Sequence, residues 1–520
     1  MSALNVAAQF SDDECSADED KADSVDDESC PDKAPWTARA TFILLGSLGF
    51  FNVYAMRVNL SIAIMSMVKS GGSSGNFTPV CGHRSKASAF VSMESDGEFD
   101  WDEATQGLVL GSFFWGYIIT QIPGGVLAKH FGAKWLLGLG CLFTAIFTLM
   151  TPIAARYSVY ALMAVRVMEG IGEGVTFPAM HALIAKWAPP FQRSLFSSII
   201  YAGSTAGLVV SMPIAGILAQ SSFLGGWPSI FYVFGAAGIV WFAFWAFLVY
   251  EDPDSHPWIS VAEKTLIKRS LGRQVHHGSK VNVPYRRILT SPPFWAILIA
   301  HCGQNWGFYT LLTQLPSYVK NVLGFDVQQS GFISSLPYLC LYVVSIFGGL
   351  AADAIRAKGL LSTTATRKLY TALAFGIAGI CLLTVSALGC NIPGVIAVIS
   401  LAGAADGLAS PGFNVNHIDI APNYAGVLLG FTNCAATIPG IVAPYVTGLI
   451  INEDQSIQKW KIVFMISAFV FMFAAAVYAI FGSGEEQEWN RQRTNVSEES
   501  PRKKDDTHDS LFENPSEEDR

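Results

Sequence analysis

The chain has 520 residues, of which 51% are hydrophobic and only 14% charged, with a mean hydropathy of +0.38. This balance excludes a water-soluble globular domain and puts the chain among proteins that cross a bilayer many times. The net charge of -8 describes the two polar ends rather than a surface, and nothing in it suggests nucleic-acid binding.

Residues Asp12 to Asp32 hold eleven carboxylates against Lys21 and Lys33, so 1–36 is expected to be a disordered acidic tail on the cytosolic side. It contains no early apolar core of a cleavable signal peptide, so the first membrane helix must direct insertion itself. That helix is expected at Ala40–Val68, and Arg57 lies in the middle of this otherwise uncharged stretch. A cation there is costly unless it faces a protein interior, which marks it as a site for something negatively charged.

Five further apolar segments follow at Thr105–Ala128, Trp135–Ala155, Val159–Trp187, Leu195–Ala219 and Pro228–Tyr250. With the first they make an N-terminal six-helix bundle over 37–250. A polar linker covers 251–290. Six more segments, Pro293–Val319, Gly331–Ala352, Leu369–Leu388, Ile392–Asn414, Ala425–Ile450 and Trp460–Phe481, make a C-terminal six-helix bundle over 291–482. A second disordered tail closes the chain at 483–520. The expected fold is an all-α integral membrane protein of twelve helices in two six-helix halves.

Basic residues set the expected orientation. The linker carries Lys264, Lys268, Arg269, Arg273, Lys280, Arg286 and Arg287, and short loops on the same side add Lys129, Lys134, Lys186, Arg193, Arg356, Lys358, Arg367 and Lys368. The positive-inside rule then places both termini and the linker in the cytosol. Asn76 begins an Asn-Phe-Thr sequon in the first loop of the opposite side and is a glycosylation candidate. The nine cysteines show no metal-ligand spacing. Cys81 and Cys390 share the non-cytosolic side, where a disulfide is chemically open to them but not the favoured reading.

The halves echo each other. Gly107 and Gly125 bracket the second helix, and Gly331 and Gly349 bracket the eighth; each pair is 18 residues apart, and the pairs are offset by 224. Parallel six-helix repeats around a central cavity are a transporter architecture whose rocking gives alternating access.

The fourth segment carries Arg166, Glu169 and Glu173 at i, i+3 and i+7, on one helical face. Gly170, Gly172 and Gly174 leave room for another helix to approach. One reading is a structural ion-pair network in which Arg166 neutralises Glu169 and Arg57 neutralises Glu173. The other, favoured here, has a proton from an acidic lumen neutralise a glutamate and free an arginine for a substrate carboxylate. Each pH unit of gradient supplies about 1.4 kcal/mol per proton carried. His181, further along the same segment, is either a cap or a proton relay. In the seventh segment His301, Gln304, Asn305, Tyr309 and Thr313 offer hydrogen bonds to a polyhydroxylated substrate or to each other. Asp406 is a buried acid in the tenth, and Asn416, His417 and Asp419 at its end read as a hinge or gate network.

With these residues in place, the chain resembles the major facilitator superfamily from about Thr37 to Phe481. Within it, the chain is similar to the organic-anion branch holding sialin, the vesicular glutamate and nucleotide transporters and the sodium–phosphate cotransporters. The similarity is carried by Tyr54-Ala-Met-Arg57-Val-Asn59-Leu-Ser61, Trp101-Asp-Glu-Ala-Thr-Gln106-Gly107, Glu173-Gly-Val-Thr-Phe-Pro178-Ala-Met-His181, Lys186-Trp-Ala-Pro-Pro190 and the run from Asn416 to Gly426. Glu169 and the absence of an arginine at Gln304 make it more similar to sialin than to the glutamate transporters.

That resemblance implies proton-coupled export of sialic acid and other acidic sugars, with transport of acidic amino acids also open. It implies that Arg57 binds carboxylate and that Glu169 and Glu173 couple protons; the reading of the residues themselves adds Arg166, Gln304, Asn305 and Tyr309 as substrate-binding candidates and His181 as a proton-coupling candidate. The alternative is a sodium-dependent inorganic phosphate carrier or a vesicular glutamate- or nucleotide-type anion transporter. No enzyme motif is present. The expected partners are a small anion, protons and the bilayer, with no cofactor beyond the ion gradient, sodium being open, and a monomeric state. A lysosomal, secretory or synaptic vesicle, or plasma membrane all fit. Asp406 departs from the family pattern, where a small residue is expected, and so does Lys129, where an aspartate is usual.

Overall fold

A computed structural model describes residues 37–69, 81, 97–189, 193–272, 283–422, 424–452 and 454–490. Both expected tails, apart from 483–490, and the Asn76 sequon lie outside the described residues, as do Pro190, Arg273 and Lys280.

Among the described residues, twelve helical segments correspond to the expected crossings. They are α1 (Ala38–Met67), α2 (Glu103–Phe131), α3 (Ala133–Tyr157), α4 (Val159–Gly174 continuing as Thr176–Trp187), α5 (Arg193–Gln220) and α6 (Pro228–Leu248) in the first half. The second half has α7 (Pro292–Asn321), α8 (Val327–Ala357), α9 (Thr363–Leu388), α10 (Ile392–Asp406, irregular turns, then Asn416–Ile420), α11 (Ala425–Ile451) and α12 (Ile457–Phe481). Among the described residues, nine helices are individually long and apolar enough to cross a membrane. The three crossings outside that set are α2, α4 and α7, which turn Gln121, the Arg166–Glu169–Glu173 face and the His301–Gln304–Asn305 run away from lipid.

Side-chain caps start many of these helices. Thr37, Asp102, Ser158, Asp326, Ser362 and Ser456 each accept from a backbone N–H three residues on, satisfying a donor that lipid would leave bare. The linker, expected to be merely polar, holds short helices at Val261–Gly272 and Tyr285–Leu289. It also caps the bundle. The Glu263 carboxylate accepts from the Ala38 and Arg39 backbone N–H groups at 3.1 and 3.0 Å, and from Arg39 Nε at 3.0 Å. Glu251 does the same for α3, accepting from the Ala133 and Lys134 backbones.

Two crossings break. In α4 the break is at Val175, because Pro178 has no N–H to return to the Gly174 carbonyl. In α10, Pro411 removes a donor and Gly412 leaves helical geometry at ψ -117°.

The two halves meet at the end away from the linker. The repeated glycines make equivalent contacts there. A Cβ on Gly107 of α2 would stand 2.4 Å from the Pro444 carbonyl oxygen of α11, and one on Gly331 of α8 would stand 2.5 Å from that of Met212 of α5. Only hydrogen fits in either place. Gly349 has no neighbour within 4 Å of such a Cβ, and the surroundings of its counterpart Gly125 lie outside the described residues. Glu103 accepts from Gln455 at the same end, and Lys320 donates to the Met65 carbonyl. Further in, Gln121 donates to Thr437 at 3.0 Å and accepts from Asn433 at 3.1 Å. Among the described residues, no hydrogen bond joins the halves beyond this point toward the linker end. Cys81 and Cys390, which the sequence reading leaves unpaired, form a disulfide across the halves on the closed face.

Candidate functional site

Arg57 sits midway along α1, 5% exposed, with its guanidinium boxed by aromatic rings. Tyr54, one turn earlier, is 4.4 Å from it, and Tyr117 and Phe113 of α2 are 4.8 and 5.2 Å away, distances at which ring quadrupoles attract a cation. Its anionic partner is Glu173 of α4, whose Oε1 accepts from Arg57 Nε at 2.7 Å and from a second guanidinium nitrogen. Glu173 Oε2 is buried and has no partner.

A second pair lies beside the first. Arg166 pairs with Glu169 one turn along α4 and donates to the Arg57 carbonyl at 3.1 Å, so the two cations are mechanically linked. Glu169 is anchored from α3 by Thr151, which donates to it at 3.0 Å. Gly170 lies against the Phe113 carbonyl and Gly172 against that of Gly140, which lets α4 sit between α2 and α3 at backbone contact. Both carboxylates are fully buried. Four charges in such surroundings persist only as matched pairs.

Arg57 and Arg166 border a narrow pocket. It is also lined by Ser61 of α1, Leu110, Phe113 and Phe114 of α2, and Leu312 and Thr313 of α7, so it lies between the halves. Tyr309 of α7 closes on Phe114 with ring centroids 4.5 Å apart. Arginine nitrogens on one wall and a threonine hydroxyl opposite suit a small anion bearing hydroxyl groups.

The remaining expected residues are not all brought here. Gln304 and Asn305 turn into the C-terminal half: Gln304 donates to Asp406 at 3.2 Å, and Asn305 to the Ala436 carbonyl at 2.8 Å. His181 lies on the second piece of α4, exposed, with its ring 5.2 Å from Tyr201 and no contact with either glutamate. The Val175 break separates it from the carboxylate face. His301 meets Thr432, which also contacts His417.

The trio at the end of α10 is brought together as a staple. Asn416 donates to the Tyr478 hydroxyl at 2.7 Å, His417 contacts the Asn414 carbonyl at 2.9 Å, and Asp419 accepts from Arg367 Nε at 2.7 Å. Arg367 itself, which the sequence reading counted only as a loop cation, is buried and also donates to the Pro411 carbonyl at the α10 break. Also missed were the aromatic box and Thr151. Tyr54 at i−3 of Arg57, and Phe113 and Tyr117 four apart on α2, were the available signals.

Residues 45–444 match the Major Facilitator Superfamily. The chain belongs to that superfamily. It is 44% identical to sialin of Homo sapiens over 455 residues, covering 87% of this chain and 91% of that one. It is 39% identical to vesicular glutamate transporter 2 of Homo sapiens, covering 87% and 75%. A solved structure of a D-xylose–proton symporter has the same fold, with a TM-score of 0.63 at 18% identity, covering 86% of this chain and 99% of the symporter. The protein is therefore a sialin-like anion transporter, not an enzyme.

Proposed function

We propose that this transporter carries small organic anions by alternating access and exports sialic acid and other acidic sugars together with protons. The observation that carries the reading is Arg57, which lines the pocket between the halves while its ion-pair partner Glu173 does not: a buried cation whose anionic partner can be replaced. A proton taken up by Glu173 removes the negative charge from Arg57, and a substrate carboxylate then restores it. Glu173 Oε2, buried without a partner, is free to bear that proton. Arg166, held to the Arg57 carbonyl, transmits the exchange to Glu169. Loaded and empty states are thus both charge-matched, while a half-loaded state leaves an unpaired charge in the dry cavity and does not cross.

By the positive-inside rule the linker end is cytosolic, so the open side of this structure faces the cytosol and the closed side faces the lumen. The identity to sialin supports a lysosomal membrane, and that to a vesicular glutamate transporter keeps secretory vesicles as the second location. The test is uptake into vesicles reconstituted with the purified full chain, with pH and sodium varied separately. Sialic acid accumulation driven by a pH gradient, and lost in Glu173→Gln, is the expected result. Uptake of phosphate or glutamate that ignores pH would overturn it.

A further inference from the structure

Asp406 is a carboxylate that the central exchange does not use. It is 7% exposed, stands at the last helical residue before α10 breaks, and has no ion pair among the described residues. Its contact with Gln304 of α7 continues outward, because Gln304 Oε1 accepts from Asn414 Nδ2 at 3.3 Å. Asn414 and Gln304 are half-buried, so a chain of hydrogen-bonding groups runs from the open face to a buried acid.

On its other side Asp406 borders a narrow pocket walled by α7, α8, α9, α10 and α12. The hydroxyl of Tyr338, 2% exposed, belongs to the same cavity wall and has no partner. This pocket is distinct from the one at Arg57. Residues 307, 308 and 311 of α7 face it, whereas 312 and 313 face Arg57, so α7 stands between them.

Among the described residues, no nearby group is placed to neutralise Asp406. From α7 the titratable neighbour is His301, which meets Thr432 and lies 5.8 Å from the Phe413 ring. From α8 it is Tyr338. From α9 and α12 the wall is Ala378, Leu382 and Phe471. Further along α10, His417 is held by Asn414 and Thr432, and Asp419 by Arg367.

We infer that Asp406, with Gln304, Asn414 and Tyr338, is a second proton-binding site, and that it couples proton movement to the bending of α10. The inference rests on the proton-driven reading above. While the linker end is open, water at Gln304 and Asn414 solvates the ionised carboxylate. Closure of that end covers both amides, and an unpaired carboxylate then enters the dry interior only after taking a proton. The irregular turns from Gly407 to Asn414 are the segment that moves.

Two measurements on the reconstituted full chain test this. The first is the limiting accumulation of sialic acid at a gradient of one pH unit with the membrane potential clamped, together with exchange between equal pools. Because closure of the linker end needs this proton in every cycle and returns it to the same side, the limit itself should be unchanged in Asp406→Asn. Exchange between equal pools should instead fall with rising pH up to about tenfold more per pH unit in the wild type than in Asp406→Asn. Equal pH dependence of exchange in the two proteins overturns the inference. A wild-type limit that ignores pH overturns the proton-driven reading instead.

The second measurement is the infrared band of protonated carboxyl groups between acid and alkaline samples. Part of it should vanish in Asp406→Asn. In Gln304→Leu, which retains the acid but removes a donor to its ionised form, the band should persist to more alkaline pH. If Asp406→Asn fails to fold, this variant decides alone, and an unmoved band sinks the proposal.

Discussion

Glu173 meets Arg57 through one carboxylate oxygen and leaves the other buried and unpartnered. The pair is therefore closed to water but chemically unsaturated, unlike a bidentate structural bridge that uses both oxygens. It also gives the charge exchange a sharp genetic signature.

Arg57→Ala strands Glu173 in the interior, which costs about 3–5 kcal/mol while it stays ionised. Glu173→Gln strands Arg57 in the same way. The double variant should regain most of that stability in a thermal-unfolding series and still transport nothing. Recovery of transport in the double variant would mean that the pair serves folding alone.

Thr151 anchors Glu169 from a different helix. Thr151→Val keeps the shape and removes the donor, at about 1–3 kcal/mol if the carboxylate finds no other partner. Substrate affinity should fall less than the pH-driven accumulation ratio, because Arg57 is untouched. Equal loss of both would place Glu169 in direct substrate contact.

Much of this was legible in the chain. The charged face of α4 and the lone cation of α1 are visible because lipid tolerates neither unless they face inward. The direction of Gln304 and Asn305 was not. Helical spacing fixes which residues share a stripe, but which stripe of α7 faces its own half depends on packing between residues 102 apart in sequence, as the Gln304–Asp406 contact shows. The 224-residue offset of Gly107 and Gly331 marked two equivalent close contacts, yet only coordinates identify Pro444 and Met212 as the other sides.

Those contacts are the closed gate. Gly107→Leu or Gly331→Leu places a side chain where 2.4 or 2.5 Å separates a Cβ from a carbonyl oxygen. Either variant should hold that end ajar, raising the labelling of cysteines placed at Thr105 or Gln328 by a membrane-impermeant reagent. Substrate turnover should fall at least several-fold. Unaltered labelling would show that the halves do not separate along this seam.

Glu98 lies beyond the membrane-spanning helices at the closed end, where Arg156 donates to it at 2.9 Å and Trp227 at 3.2 Å. The Arg156 guanidinium holds its carboxyl below the usual carboxylate range. A depressed folded value contributes stability above the unfolded value near 4.3, lost as pH falls through the folded one. The pair is half-exposed, so its worth is about 0.2–1 kcal/mol. Glu98→Gln should therefore lower the unfolding midpoint slightly at pH 7 and at pH 5 alike. The difference from wild type should disappear only below about pH 4. A difference already gone at pH 5 would remove the clamp from any role in an acidic lumen.

Glu263 ties the linker to the start of α1 by three hydrogen bonds. Glu263→Gln retains part of the geometry and loses the charge that favours a helix N-terminus, so about 0.3–1 kcal/mol is at stake. Protease cutting within 273–282 should quicken if this anchor positions the linker, and stay constant if it does not.

The bond between Cys81 and Cys390 has a consequence for how widely the molecule opens. Cys81 also donates its backbone N–H to the Val322 carbonyl at 3.1 Å, so a loop encoded between α1 and α2 is moored to the end of α7 and to the α9–α10 connection. Lys69 is twelve residues before Cys81, a leash of at most about 40 Å. With the bond formed, the halves are tied together at this end as well as through the 251–290 connection; in a reducing milieu only that connection would join them covalently.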